Sequence, residues 1–62
     1  MNWLILTDPV EHAEILINMD HVQEIRAHRG GSVLKLNTGL SRRVAETLDE
    51  LMETLLRAPA GE

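Results

Sequence analysis

Within Thr47–Arg57, Leu48, Leu51, Met52, Leu55 and Leu56 recur at i, i+3, i+4, i+7 and i+8. That spacing draws one apolar stripe along an α-helix. Asp49, Glu50, Glu53 and Thr54 take the opposite face. Thr47 followed by Glu50 fits a capping box, in which hydroxyl and carboxylate satisfy orphan N–H groups at the helix start. Acids in the first turn and Arg57 in the last suit the helix dipole, and Glu53 and Arg57 stand one turn apart for an ion pair. Pro59 cannot continue the helix and disfavours helical geometry at Ala58. A helix this short is marginal in water on its own. Its stripe must therefore be buried, on strands of the same chain or in a groove of a partner. The chain upstream supplies apolar strand surface for the first of these.

That upstream chain is a series of short apolar runs broken by turn residues. Residues 2–7 (NWLILT) predict a first strand, with Trp3 and Ile5 facing one way and Leu4 and Leu6 the other. Both faces are apolar, so the strand is either central or covered by a second subunit. Asp8-Pro9 is a turn signal. Residues 13–18 (AEILIN) predict the second strand and residues 22–28 (VQEIRAH) the third. In the third, Ile25 and Ala27 face inward and Glu24, Arg26 and His28 outward. Val22 breaks the alternation and is expected to plug the core from the preceding turn. Arg29-Gly30-Gly31-Ser32 reads as a hairpin turn, Gly-Gly supplying the positive φ angles. Residues 32–37 (SVLKLN) form the fourth strand, with Leu34 and Leu36 on one face and Val33 and Lys35 on the other. Asn37-Thr38-Gly39 is another turn. Residues 40–45 (LSRRVA) form the fifth strand, with Leu40 and Val44 inward. The order β-β-β-β-β-α with short connections predicts an α+β fold: a small antiparallel meander of five short strands with one C-terminal helix packed on it. Residues 1–57 read as one domain and 58–62 as a frayed tail.

Sixty-two residues bury only about 60% of the surface their unfolded chain exposes. With no cysteine, neither a disulfide nor a thiolate-held metal can add stability, so self-association is expected. The lack of cysteine fits a reducing cytosol. Trp3–Leu6 is too short for the core of a signal peptide, and no run approaches a membrane span. The expected location is cytoplasmic, with no membrane partner.

Charge is segregated along the chain. Arg26, Arg29, Lys35, Arg42 and Arg43 are five of the six basic residues, and no acid lies among them. The flanking segments carry the acids, giving a net charge of −4. These cations either are solvated side chains that blunt sheet edges or form a contact patch for an acidic partner or a phosphate backbone. Nucleic acid is the weaker of those partners. The overall charge opposes a polyanion at long range, and Trp3 is the only aromatic residue, whereas single-strand platforms stack bases on aromatic rings.

Sites for chemistry are sparse. His12, His21 and His28 do not stand at helical metal-ligand spacing. Ser32 and Ser41 lack a nucleophile-elbow context. Gly30-Gly31 precedes a strand rather than a helix, so it does not form a phosphate loop. No catalytic, cofactor-binding or metal site and no small-molecule substrate is expected.

The run Ile15-Leu16-Ile17-Asn18-Met19-Asp20-His21-Val22, followed by Ile25, resembles the "IxINpdHI" segment of the small FlbD/SwrD family. Val33–Leu36, the turn Asn37-Thr38-Gly39 and Val44-Ala45-Glu46-Thr47-Leu48-Asp49-Glu50-Leu51 continue in the same order. Met19 stands where that family usually has proline. The resemblance implies a short bacterial polypeptide associated with flagella and swarming motility, without enzymatic activity. Residues 22–56 also resemble the end of a LytTR-type DNA-binding domain, where a basic hairpin leads into a helix. That resemblance would place nucleic-acid contacts on Arg26, Arg29, Lys35, Arg42 and Arg43.

The reading that results is a non-enzymatic interaction module, a homodimer or larger, that docks on protein. Trp3, Leu4, Leu6, Arg26, Arg29, Lys35, Arg42 and Arg43 are the candidate contact residues, and nucleic-acid binding by the basic hairpins is the alternative.

Overall fold

The computed structural model describes residues 2–57. The expected tail at 58–62, with the stop signal at Pro59, lies outside them. Five short antiparallel strands precede one C-terminal helix, the α+β arrangement implied by the apolar pattern: β1 (Trp3–Thr7), β2 (Glu14–Asn18), β3 (Val22–His28), β4 (Gly31–Leu36), β5 (Ser41–Val44) and α1 (Leu48–Arg57). The meander is divided in two. β1 and β2 form one sheet, and β3-β4-β5 form a second in that order. The division falls at Met19–His21, a single 3-10 turn started by Asn18, whose side chain accepts from the Asp20 N–H.

β1 and β2 pair as a hairpin with Leu4 opposite Ile17, Ile5 opposite Leu16 and Leu6 opposite Ile15. The connection is held by Asp8, whose Oδ1 accepts from the N–H groups of Val10 at 2.8 Å and Glu11 at 2.9 Å. These two bonds, that from Glu11 foremost, hold the Asp8 carboxyl below its ordinary pKa. His12 closes the loop with a positive φ of 60°.

In the second sheet, the register shifts between Val22 and Glu24. This bulge is why Val22 breaks the alternation. One extra residue on β3 turns both Val22 and Ile25 toward the core. The β3–β4 turn differs from expectation in one respect. The positive φ angles fall at Arg29 (47°) and Gly30 (79°), while Gly31 opens β4. Gly31 serves a different need: a Cβ there would collide with the Val44 carbonyl oxygen of the neighbouring strand.

The helix is capped as the sequence implies. Thr47 Oγ1 accepts from the Glu50 N–H at 3.1 Å, and Glu50 Oε1 accepts from the Thr47 N–H at 2.8 Å. Glu53 and Arg57 pair at 3.2 Å. The core where helix and strands meet is Leu6, Leu34, Val44 and Leu51, with Leu4, Ile15, Ile17, Val22 and Ile25 packed around it. Of the helical stripe, Leu51 alone is buried; Leu48 and Leu55 are half-buried, and Met52 and Leu56 are exposed.

Two inward assignments are corrected. Ala27 is exposed, because β3 is an edge strand and α1 flanks its Val22–Ile25 half. Leu40 is exposed and lies outside β5. Its carbonyl closes the turn to the Leu36 N–H at 2.8 Å, and the regular alternation begins only at Ser41.

A junction that local pattern did not announce ties the two sheets together. Glu46, between β5 and α1, accepts from both the N–H and the hydroxyl of Thr7 at 2.9 Å. The Ala45 N–H donates to the Thr7 carbonyl at 2.8 Å. Ser32, buried in β4, donates its hydroxyl to the Glu46 carbonyl at 2.8 Å. One short segment thus fixes the end of β1, the start of β4 and the entry to α1.

Candidate interaction surfaces

The outer face of the β1–β2 hairpin is apolar and open. Alternation puts Trp3, Ile5 and Thr7 on that face of β1, and Glu14, Leu16 and Asn18 on that face of β2. Trp3 is 47% exposed, Ile5 63% and Leu16 61%. Ile5 and Leu16 stand directly opposite each other, with Trp3 one step along. The expected contact set is corrected here. Leu6, only 3% exposed, belongs to the core, and Leu4 packs against it. Both point to the inner face of the hairpin, Leu6 buried and Leu4 half-buried. Ile5 and Leu16 are the apolar residues exposed beside Trp3 instead. The sequence carried a signal for them, since Ile5 shares Trp3's parity and Leu16 faces it once the hairpin register is drawn.

The five cations do not form one patch. In β3-β4-β5, Arg26, Val33 and Arg43 form one cross-strand row, and Glu24, Lys35 and Ser41 form the next. All six side chains share the outer face of the sheet by parity; five of them surround a shallow groove of about 320 Å³ floored by Val33, and Arg43 lines a neighbouring hollow with His28 and Arg29. Arg26 pairs with Glu24 on this face. Among the described residues, Lys35 and Arg43 make no ion pair. Arg42 lies opposite Leu34 and shares the inner side of the sheet, where it lines a separate groove with Leu16, Ile17, His21 and Leu36. Arg29 projects from the β3–β4 turn. The sequence therefore located the cations but not the split between faces, which strand parity alone determines.

A third, mostly apolar groove runs between α1 and β3, lined by Met19, Val22, Ile25, Leu48, Met52 and Leu55. Among the described residues, no three histidine, cysteine or carboxylate side chains cluster closely enough to hold a metal ion. No helix among them is long and apolar enough to cross a membrane.

No family model, curated protein or solved structure matches the chain. What the protein does has to be argued from these surfaces. Two of them combine exposure with a defined chemical character: the largely apolar face of the hairpin and the basic outer face of the three-stranded sheet.

Proposed function

We propose that this chain is a non-enzymatic protein-interaction module that self-associates through the outer face of β1–β2. The observation that carries the reading is the contiguous exposure of Trp3, Ile5 and Leu16, large apolar side chains that a small domain with a slight core leaves in water. A second copy is the occupant that suits the face. The molecule carries a net charge of −4, so two copies repel unless their contact avoids like charges. Among the six strand residues of the hairpin face only Glu14, at one end, is charged; the Glu46 carboxylate meets Thr7 at that same end, and Arg42 borders Leu16. A two-fold axis near the Ile5–Leu16 pair would set apolar surface on apolar surface and keep the two Glu14 side chains at the rim. A standard interface hides about 800 Å² per partner, a modest share of the 4678 Å² that the chain exposes. The pairing would also support a two-stranded sheet, which is marginal alone. The resemblance to the flagellar and swarming proteins supports a search for further partners in bacterial motility machinery.

Light scattering or sedimentation equilibrium at micromolar concentration tests this. The expected mass is twice the monomer's 7.0 kDa or more. Leu16→Glu, which buries a charge at the centre of the contact, is expected to return the protein to a monomer with its strand and helix content intact. A native chain that stays monomeric as concentration rises toward about 100 μM, where even weak specific dimers form, would end the reading.

A further inference from the structure

We propose that the outer face of β3-β4-β5 is a docking surface for an extended acidic segment of a partner protein, with an apolar residue of that segment seated on Val33. The proposal concerns a different face from the hairpin contact and stands whether or not two copies associate.

The argument begins with parity. Arg26, Val33 and Arg43 occupy adjacent positions on three strands. At about 4.8 Å between strands, the two arginine Cα atoms are separated by about 10 Å, with Val33 midway. Lys35 lies two residues along β4, about 7 Å from Val33. The face thus offers Arg26 and Lys35 around a half-buried apolar floor, with Arg43 beside Val33 on the neighbouring strand, against the single carboxylate of Glu24. Most of the molecule's acids lie elsewhere, on the connections, on β2 and along α1. A molecule with ten acids and six bases has ample carboxylate to neutralise Lys35 and Arg43 internally. Yet neither makes an ion pair among the described residues.

The chemistry of this face discriminates between anionic partners. A nucleic-acid backbone presents an unbroken line of phosphates and favours an unbroken basic face. Here Glu24 sits beside Arg26 and bonds to it, setting a fixed negative charge where a phosphate would approach. No aromatic side chain is present on this face to stack a base. Val33 has no use against phosphate but suits an aliphatic side chain. In an extended peptide, residues i, i+2 and i+4 share one face at about 7 Å intervals. A sequence of the form acid-x-apolar-x-acid therefore sets its apolar residue over Val33. Its carboxylates then reach Arg26 on one side and Arg43 on the other, the long side chains splaying outward to meet them. Lys35 and the Ser41 hydroxyl remain to contact peptide backbone or a further carboxylate.

The test is an amide NMR titration of the full chain with the peptide Gly-Glu-Ser-Leu-Ser-Glu-Gly, blocked at both ends, at about 20 mM salt, where exposed charge is least screened. The expected result is saturable shifts on β3, β4 and β5 with a dissociation constant near or below about 1 mM. Replacing the peptide leucine by serine is expected to weaken binding at least about threefold, the scale of a partly buried aliphatic side chain. Arg26→Glu with Arg43→Glu is expected to weaken it at least about tenfold by setting like charges together. The same spectra report whether that variant is folded, and Lys35→Gln gives a second, milder variant at an exposed position. The proposal falls if the peptide produces no saturable shifts on this face, or if the serine peptide binds as well as the leucine peptide. Tighter binding of a short DNA duplex than of the peptide, abolished by the same double substitution, would also overturn it and assign the face to nucleic acid.

Discussion

Gly30 and Gly31 stand side by side at the β3–β4 turn, and a methyl group would act differently on each. Gly30 has a φ of 79° with open space around its α-carbon. Alanine there meets no neighbour but must hold a left-handed conformation, at a cost of about 1 kcal/mol. At Gly31 an added Cβ meets the Val44 carbonyl oxygen, which belongs to a paired strand and cannot swing aside. Gly31→Ala should cost about 2 kcal/mol or more, as strand separation or a shifted register. Arg29 makes the opposite case. It holds a φ of 47°, which asparagine tolerates better, and asparagine followed by glycine is a favoured pair for such a turn. Arg29→Asn should stabilise by a few tenths of a kcal/mol. Urea unfolding with an unchanged slope should rank the midpoints Arg29→Asn, native, Gly30→Ala, Gly31→Ala from highest to lowest. The dipeptide Gly30-Gly31 announces a turn in the sequence. Which of the two bends the chain and which admits a neighbouring strand depends on Val44, one strand away and far from Gly31 in the chain.

Among the elements, α1 was the most legible because its determinants are local. Thr47 and Glu50 cap each other within one turn, and Leu51 falls into the core from the middle of a continuous stripe. The five strands were legible as runs bounded by turn residues, and even the β3 bulge left a trace in the misplaced Val22. What local pattern could not supply is how far each apolar face is covered. Leu6 and Ile5 are neighbours of similar hydropathy, yet one is core and the other surface, because α1 and the second sheet close over the inner side of the hairpin only. Glu46 carried no signal of its own in the sequence. Its partner Thr7 lies 39 residues away, so nothing near it in the chain marks the junction. The two residues at the helix entry therefore make contrasting predictions. Thr47→Ala removes a cap and should cost about 1 kcal/mol, chiefly in helix content. Glu46→Ala unpairs the N–H and hydroxyl of Thr7 and should cost more, about 2 kcal/mol, chiefly in the docking of β1–β2. Amide exchange separates the two. Protection should fall in α1 for the first variant, and in β1 and β2 for the second.

At the scale of the whole molecule, few side chains are fully enclosed. Leu34, Leu51, Val44 and Ser32 are those with almost no exposure, while Trp3, Ile5 and Leu16 gather apolar area outside the core. A chain with this balance gains stability from whatever covers the outer hairpin face. If a second copy does so, unfolding couples to dissociation, and the melting temperature must rise with protein concentration. Calorimetry over about a hundredfold range of concentration should show an upward drift of several degrees for the native chain, as a domain of this size moves about 4–8 °C per kcal/mol. Leu16→Glu should remove the drift. Its melting temperature should match that of the native chain extrapolated to high dilution, because Leu16 contributes nothing to the core of the single chain. A Leu16→Glu protein that instead unfolds well below that extrapolated value would place the side chain in the fold of the monomer. The cations of the three-stranded sheet offer the internal control. Arg43→Glu alters a side chain of the other sheet, outside the six strand positions of the proposed contact, and should leave the concentration dependence as it is in the native chain.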